Sequence, residues 1–266
     1  MSAFWSRIAV ALVLLPLVLW IVWLGGWWLF MIALVGGLMA LHELYVMGRG
    51  LRPIVLGGYV GLILTLIGAE TGDIAWVVGG IFSTVLVAFV VFGFSDARPS
   101  ATAAISLTLL GVVWVGGGIA SLILLRESYG PDDAPRLVVF TVLIAVFADD
   151  TAAYAVGRMI GRHKMAPRIS PGKSWEGFVG GTLAAMAVAF FAMYDRGFLT
   201  DIEALALGAA IALSSTLGDL FESAIKRDLG VKDSGRVLAG HGGMLDRVDS
   251  LLWAGPAALY VVLALT

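Results

Sequence analysis

Apolar residues in this chain fall into long unbroken runs, not into the alternating or one-faced stripes of soluble strands and helices. A helix that crosses a bilayer needs roughly 20 mostly apolar residues, because each adds about 1.5 Å toward a hydrocarbon core of about 30 Å. By that measure about nine segments qualify: 8–24, 27–47, 54–69, 74–94, 101–125, 137–157, 177–194, 202–222 and 249–265. The third is short, which predicts a helix partly sheltered by its neighbours. Thr200-x-x-Glu203 has the spacing of a capping box and predicts the start of the eighth. No soluble domain, long linker, low-complexity tract or internal repeat interrupts the series. The pattern predicts an all-α polytopic membrane protein, with residues 1–266 as a single integral membrane domain. Within it, 1–136 holds the N-terminal transmembrane helices and 137–266 a half richer in polar connections.

Composition agrees with the pattern. Of the 266 residues, 60% are hydrophobic and 14% charged, and the mean hydropathy is +0.96, whereas soluble domains run at about 45–50% apolar and about 25% charged. Gly25-Gly26-Trp27-Trp28 offers no small-x-small cleavage site after the first run, so 8–24 is expected to be a retained span rather than a signal peptide. The absence of cysteine excludes disulfides, thiol catalysis and zinc–thiolate sites. A net charge of −2 gives no reason to expect a nucleic-acid partner. The placement of charge is more informative. With the N-terminus cytoplasmic and the spans alternating, most of the 17 Lys and Arg residues fall on the cytoplasmic side, and only Arg126, Arg136 and Arg196 fall opposite. That is the positive-inside bias. It puts the long loops 158–176 and 223–248 on one cytoplasmic face, where two distant polar segments can build one site.

Those loops and the span ends beside them carry the candidate chemistry. Asp219, Glu222, Ser223 and Lys226 are spaced for one face of a helix, and Asp246, Asp249 and Ser250 repeat the same i, i+3, i+4 pattern at the start of the ninth span. Ionisable groups at the end of an apolar segment are costly and mark a pathway, relay or ion site. Carboxylates on two helix ends offer hard oxygen ligands to Mg²⁺, which commonly takes one or two of them and completes its shell with water and phosphate. Lys226, Arg227, Lys232, Arg236, His241 and Arg247 are cations suited to phosphate oxygens. Gly240, Gly242 and Gly243 permit positive φ and close backbone approach. Asp149 and Asp150 lie at the end of the sixth span. Gly172-Lys173-Ser174 has the ending of a P-loop, but Pro167 occupies the position of the required glycine and no strand is predicted before it, so a P-loop is rejected. Lys173 remains available to a phosphate, and Trp175 reads as an interfacial anchor. For Arg162 and His163, positive-inside decoration is the better reading.

The stretch SAIKRDLGVKDSGRVLAGHGGMLDRVD, residues 223–249, resembles the signature of the phosphatidate cytidylyltransferase (CDP-diacylglycerol synthase) family. Ser223, Lys226, Arg227, Lys232, Asp233, Gly235, Leu238, His241, Gly242, Gly243, Asp246, Arg247 and Asp249 fall in its fixed positions. Ala239 departs from the family's usual Pro or Gly. Upstream, Asp150, Ala153-Tyr154, Gly157-Arg158 and Ser170-Pro171-Gly172-Lys173-Ser174-Trp175 match the family's order. The resemblance is clear over about 145–255, and it makes 137–266 the half that carries the family motifs.

The resemblance implies attack of phosphatidate's phosphate on the α-phosphorus of CTP, giving CDP-diacylglycerol and pyrophosphate at a cytoplasmic interface. A phosphate nucleophile is already ionised, and such transfers depend on positioning and charge neutralisation, so no strong base is demanded. The residues expected to carry catalysis are Asp219, Lys226, Arg227 and Asp246, with Asp219 and Asp246 as Mg²⁺ ligands. Asp150, Lys173, Ser223, Lys232, Asp233, His241, Gly242, Gly243, Arg247 and Asp249 are expected to contact substrates, His241 beside the leaving pyrophosphate. Mn²⁺ in place of Mg²⁺, an assisting monovalent cation and a homodimer are all left open. The expected setting is the membrane lipid of a bacterial plasma (inner) membrane. The competing readings are a transporter using Asp149, Asp150, Asp219 and Glu222 as a relay, and a CTP-dependent enzyme acting on another lipid. A transporter would hold its acids nearer mid-span and would leave the basic loops unexplained.

Overall fold

The computed structural model describes residues 16–94, 100–127, 133–235 and 242–265. Residues 16–24 are helical (α1). They are followed by α2 (Gly26–Met47), a 3₁₀ turn (Arg49–Leu51), α3 (Val55–Glu70) and α4 (Ile74–Gly93). Next come α5 (Ala101–Gly111), a π-helical turn (Val112–Gly116) and α6 (Gly117–Glu127), which form one rod, and then α7 (Ala134–Ile160). A β1–β2 hairpin (Lys164–Ala166 and Ser170–Ser174), α8 (Trp175–Met193), α9 (Asp201–Asp228) and α10 (Leu245–Leu265) complete the order. Among the described residues seven helices are long and apolar enough to cross a membrane, and α3 is a shorter apolar helix. The chain is a helical, polytopic integral membrane protein. Helices suit this setting because each satisfies its own backbone hydrogen bonds where no water is present to do so.

Eight of the expected spans coincide with described helices to within a few residues; of 8–24, only 16–24 lies within the described residues. The capping box is present, with Glu203 N–H donating to Thr200 Oγ1 at 3.4 Å and Thr200 N–H to Glu203 Oε2 at 2.7 Å. The larger departures lie at the polar ends. α9 continues six residues past its apolar run, because hydrogen bonding continues after hydropathy stops and Lys226 and Arg227 in its last turn complement the helix dipole. α10 begins at Leu245 with Asp246 in its first turn, the favourable end for an anion. The segment expected as the loop 158–176 is partly strand: β1 and β2 pair antiparallel, Lys164 opposite Ser174 and Ala166 opposite Ser170.

The helices form two compact units, one of residues 1–127 with 231–248, the other of 128–230 with 249–266. In the first, α3 packs against α2, α4 and the α5–α6 rod, with Leu62, Thr65 and Leu66 fully buried. Small residues bring α3 and α4 together. Thr65 backbone atoms lie where a Cβ on Gly80 would have to sit, whereas Gly79 beside it faces open space. Close approach through small residues is the usual route to helix association in lipid, where burial of apolar surface drives little. In the second unit α8 packs against both α7 and α9.

Gly80→Ala is expected to lower stability by about 1–3 kcal/mol through overpacking against the α3 backbone. Gly79→Ala should be neutral or stabilise by up to about 1 kcal/mol through helix propensity. Thermal unfolding of the two variants in detergent compares them directly.

Candidate active site

The second unit holds a cavity of about 530 Å³ between the end of α7, the hairpin, the start of α8 and the middle of α9. Local bonding fixes its rim. α7 stops at Gly161, whose N–H donates to Gly157 O at 3.1 Å, and the chain turns into β1. Trp175 N–H donates to His163 O at 2.9 Å, His163 Nδ1 pairs with Glu176 Oε1 at 2.6 Å, and Ser174 Oγ caps α8 by accepting from Gly177 N–H at 3.2 Å. The hairpin is thereby tied to α8 at its base. Gly172-Lys173-Ser174 lies within β2, so the P-loop is excluded by structure as well as by sequence.

Ser174, which is buried, lines the cavity, and so does Lys173 one residue earlier. Its Nζ lies 2.8 Å from Asp219 Oδ2 and donates to Thr216 O at 3.3 Å. Ser223, one turn further along α9, donates to Asp219 Oδ1 at 3.3 Å. Both carboxylate oxygens of Asp219 are therefore engaged, which sets its rotamer. Asp150, Arg158 and Lys164 also line the cavity, and Arg158 Nη1 donates to Tyr154 Oη at 2.8 Å. Asp149, one residue before Asp150, is 2% exposed. Four residues expected from the sequence (Asp150, Lys173, Asp219 and Ser223) come together here. No local pattern in the sequence indicates that Lys173 pairs with Asp219 or that Lys164 joins them on the cavity.

A second cluster lies at the end of α9. Glu222 is 1% exposed and accepts from Lys226 Nζ at 2.9 Å, while the Asp249 carboxyl of α10 lies beside it. α10 approaches closely because Gly218 has no side chain: a Cβ there would sit 2.8 Å from Asp249 O. Phe221 and Trp253 pack their rings at 5.3 Å across the same contact. Lys226, expected to hold phosphate, is thus engaged with Glu222. Arg227 is exposed.

The remaining signature residues belong to the first unit. Asp246 Oδ2 accepts from Gly243 N–H at 2.9 Å and Ser234 N–H at 3.1 Å. Gly242 has φ +82°, which only glycine adopts without strain, and Ser234 and Glu43 fill the place a Gly243 side chain would need. Lys232, Asp233 and Arg247 are exposed. His241, with Arg236, Ala239 and Gly240, lies outside the described residues. Sequence reasoning missed Glu43. This acid on α2 is 3% exposed and accepts from Ser234 Oγ, Met244 N–H and Leu245 N–H, each at 2.9 Å. A carboxylate inside an apolar run, in the stretch LHELYVM, was the signal that could have found it.

Among the described residues no group of three or more His, Asp or Glu side chains forms a metal cage. The donor set nevertheless fits Mg²⁺, which is commonly held by one or two carboxylates with water and phosphate, and Asp150 and Asp219 present two on one cavity. Cations on the same cavity suit the phosphate that accompanies such an ion.

Comparison with known proteins gives this arrangement its context. A model of the cytidylyltransferase family matches residues 5–265. A phosphatidate cytidylyltransferase of Mycobacterium bovis is 36% identical over 262 residues, covering 90% of this chain and 80% of the relative. Those of Staphylococcus haemolyticus and Staphylococcus aureus are 34% identical over 266 residues and 35% over 267, covering 94% of both chains in each case. A match running through both units, signature and cavity alike, means that the chain belongs to the cytidylyltransferase family.

Proposed function

We propose that this protein is a phosphatidate cytidylyltransferase: it transfers the cytidylyl group of CTP to phosphatidate and forms CDP-diacylglycerol for phospholipid synthesis. The observation that carries the reading is the Lys173–Asp219 pair, 2.8 Å apart on a cavity also lined by Asp150, Arg158 and Lys164, in a chain of this family. A phosphate oxygen of phosphatidate attacks the α-phosphorus of CTP. The new P–O bond forms as the bond to the β-phosphate breaks, and the electron pair leaves with pyrophosphate. The attacking oxygen is already anionic, so no protein group has to remove a proton.

The chain's own residues position and neutralise. Lys173 spends two of its three donors on Asp219 and Thr216 O and has one for a phosphate oxygen. Arg158 and Lys164 add charge-assisted donors on the same cavity. Ser223 and Lys173 together hold Asp219 in one orientation, as outer partners of a metal-binding carboxylate do. We assign Asp219 and Asp246 to Mg²⁺, with Asp150 beside Asp219. When bound, Mg²⁺ supplies charge neutralisation at the phosphates. Arg227, Lys232, Asp233, His241, Gly242, Gly243, Arg247 and Asp249 complete the substrate contacts in this reading, and Lys226 acts from its Glu222 pair.

CTP is water-soluble and phosphatidate is not, so the reaction belongs at a membrane interface. The basic loops support a cytoplasmic N-terminus and a cytoplasmic active face. We assign the protein to a bacterial plasma membrane, in keeping with its bacterial relatives.

Purified protein given radiolabelled CTP, phosphatidate and Mg²⁺ is expected to label lipid, and chelation of the metal should abolish the labelling. Asp219→Asn is expected to lower kcat/KM by about 10²-fold or more, and Lys173→Ala in the same direction, as for loss of a group that stabilises transition-state charge. Folded wild-type protein that labels no lipid across phosphatidate chain lengths would reject the assignment.

Lys226→Ala should cost about 1–3 kcal/mol of stability by leaving the buried Glu222 carboxyl without its donor. Adding Glu222→Gln should recover most of that loss. A stable double variant that remains inactive assigns Lys226 to the chemistry, and one that regains activity makes its role structural. Melting temperature and turnover measured on the same preparations separate the two.

A further inference from the structure

The most unexpected charge in the first unit is Glu43, on an apolar helix and 3% exposed. Removing a carboxylate from water is costly unless donors replace the water, and here three do so. Met244 N–H reaches Oε1 at 2.9 Å, while Leu245 N–H and Ser234 Oγ–H reach Oε2, each at 2.9 Å. Two of these belong to the first turn of α10 and its approach, where backbone N–H groups have no helical acceptor. The third is a relay. Ser234 Oγ, while donating to Glu43, also accepts from Asp246 N–H at 3.4 Å. The backbone N–H of Ser234 donates to the Asp246 carboxylate at 3.1 Å. One buried acid is therefore linked through one serine to both the backbone N–H and the carboxylate of the residue read as a metal ligand.

The surrounding chain is shaped to admit it. A Cβ on Gly235 would lie 2.6 Å from Glu43 Oε1, and one on Gly243 would overlap Ser234 Oγ and Glu43 Oε2. Gly243 N–H in turn donates to Asp246. An apolar side chain would fill the volume without any desolvation cost. It would leave two N–H groups and a hydroxyl unsatisfied and would free the loop to rotate Asp246.

We infer that Glu43 is a positioning residue for the reaction: through Ser234 and the first turn of α10 it sets the orientation of the Asp246 carboxylate toward a divalent cation. This rests on the functional reading above. Glu43 touches no substrate in this role. An amide at position 43 retains one oxygen but turns an NH₂ group toward donors, so the shape stays and the bonding fails.

The test uses full-length protein in detergent with Mn²⁺ as a spectroscopic probe, its binding followed by electron paramagnetic resonance. Melting temperature, CTP KM, kcat and the Mg²⁺ concentration for half-activation are recorded beside it. Glu43→Gln is expected to weaken Mn²⁺ binding and raise the half-activating Mg²⁺ concentration by about tenfold, the lower range for loss of an outer partner of a metal ligand, with a smaller change in CTP KM. Ser234→Ala deletes the relay hydroxyl and keeps both Glu43–backbone bonds. It should shift Mn²⁺ binding in the same direction, and it carries the test if Glu43→Gln does not fold. Wild-type Mn²⁺ affinity in both variants, or a fall in melting temperature with ion affinity unchanged, overturns the proposal. Wild-type protein that binds Mn²⁺ but makes no CDP-diacylglycerol rejects the function alone, because the affinity ratio still reports on Glu43.

Discussion

The buried and half-buried charges of this molecule are governed by the cost of holding charge away from water. Lys173 and Asp219 meet that cost by pairing with each other, and Lys226 and Glu222 do the same within one helix. Glu43 meets it with backbone donors. The first and the last of these also tie chain segments that are distant in sequence, so satisfying the charge and joining those segments are one event. Lys173 joins the hairpin to α9, and Glu43 joins α2 to the approach to α10. A surface ion pair contributes little because water competes for both partners; Glu222 is sheltered at 2% side-chain exposure, whereas Asp219 of the Lys173 pair is 36% exposed.

The two units use the same small-residue packing for different ends. In the first, Gly80 lets α4 lie directly on the α3 backbone, and the result is a closely packed core. In the second, Gly218 lets α10 lie on α9, and the result is adjacency of Asp249 to Glu222. Close helix contact in the second unit therefore decides which carboxyls meet. It brings carboxyls nearer than their charges would otherwise favour, with Lys226 as the neighbouring cation.

What could be read in the sequence was whatever depends on neighbours along the chain. The capping box of Thr200 and Glu203 is local, and so are the apolar runs, so both were legible. The Asp219–Ser223 and Glu222–Lys226 pairs follow from helical spacing alone. Lys173–Asp219 was not legible, because no local pattern says which acid a hairpin lysine will meet. The hairpin was hidden too: Ser170-Pro171-Gly172 has neither the alternation nor the β-branched content of a strand, and the His163–Glu176 contact at its base joins residues 13 apart. Glu43 left a trace as an acid within an apolar run, but its partners lie some 190 residues away.

α3 spans only 16 residues, about 24 Å of helix against a hydrocarbon layer of about 30 Å. One face of it packs against its neighbours, while Leu56, Leu64 and Ile67 face outward. Glu70 is its last residue, with one carboxylate oxygen buried. A span shorter than the layer costs a fraction of a kcal/mol per Å of mismatch, so the packing of α3 on α4 holds in place a helix that bilayer thickness alone would not favour.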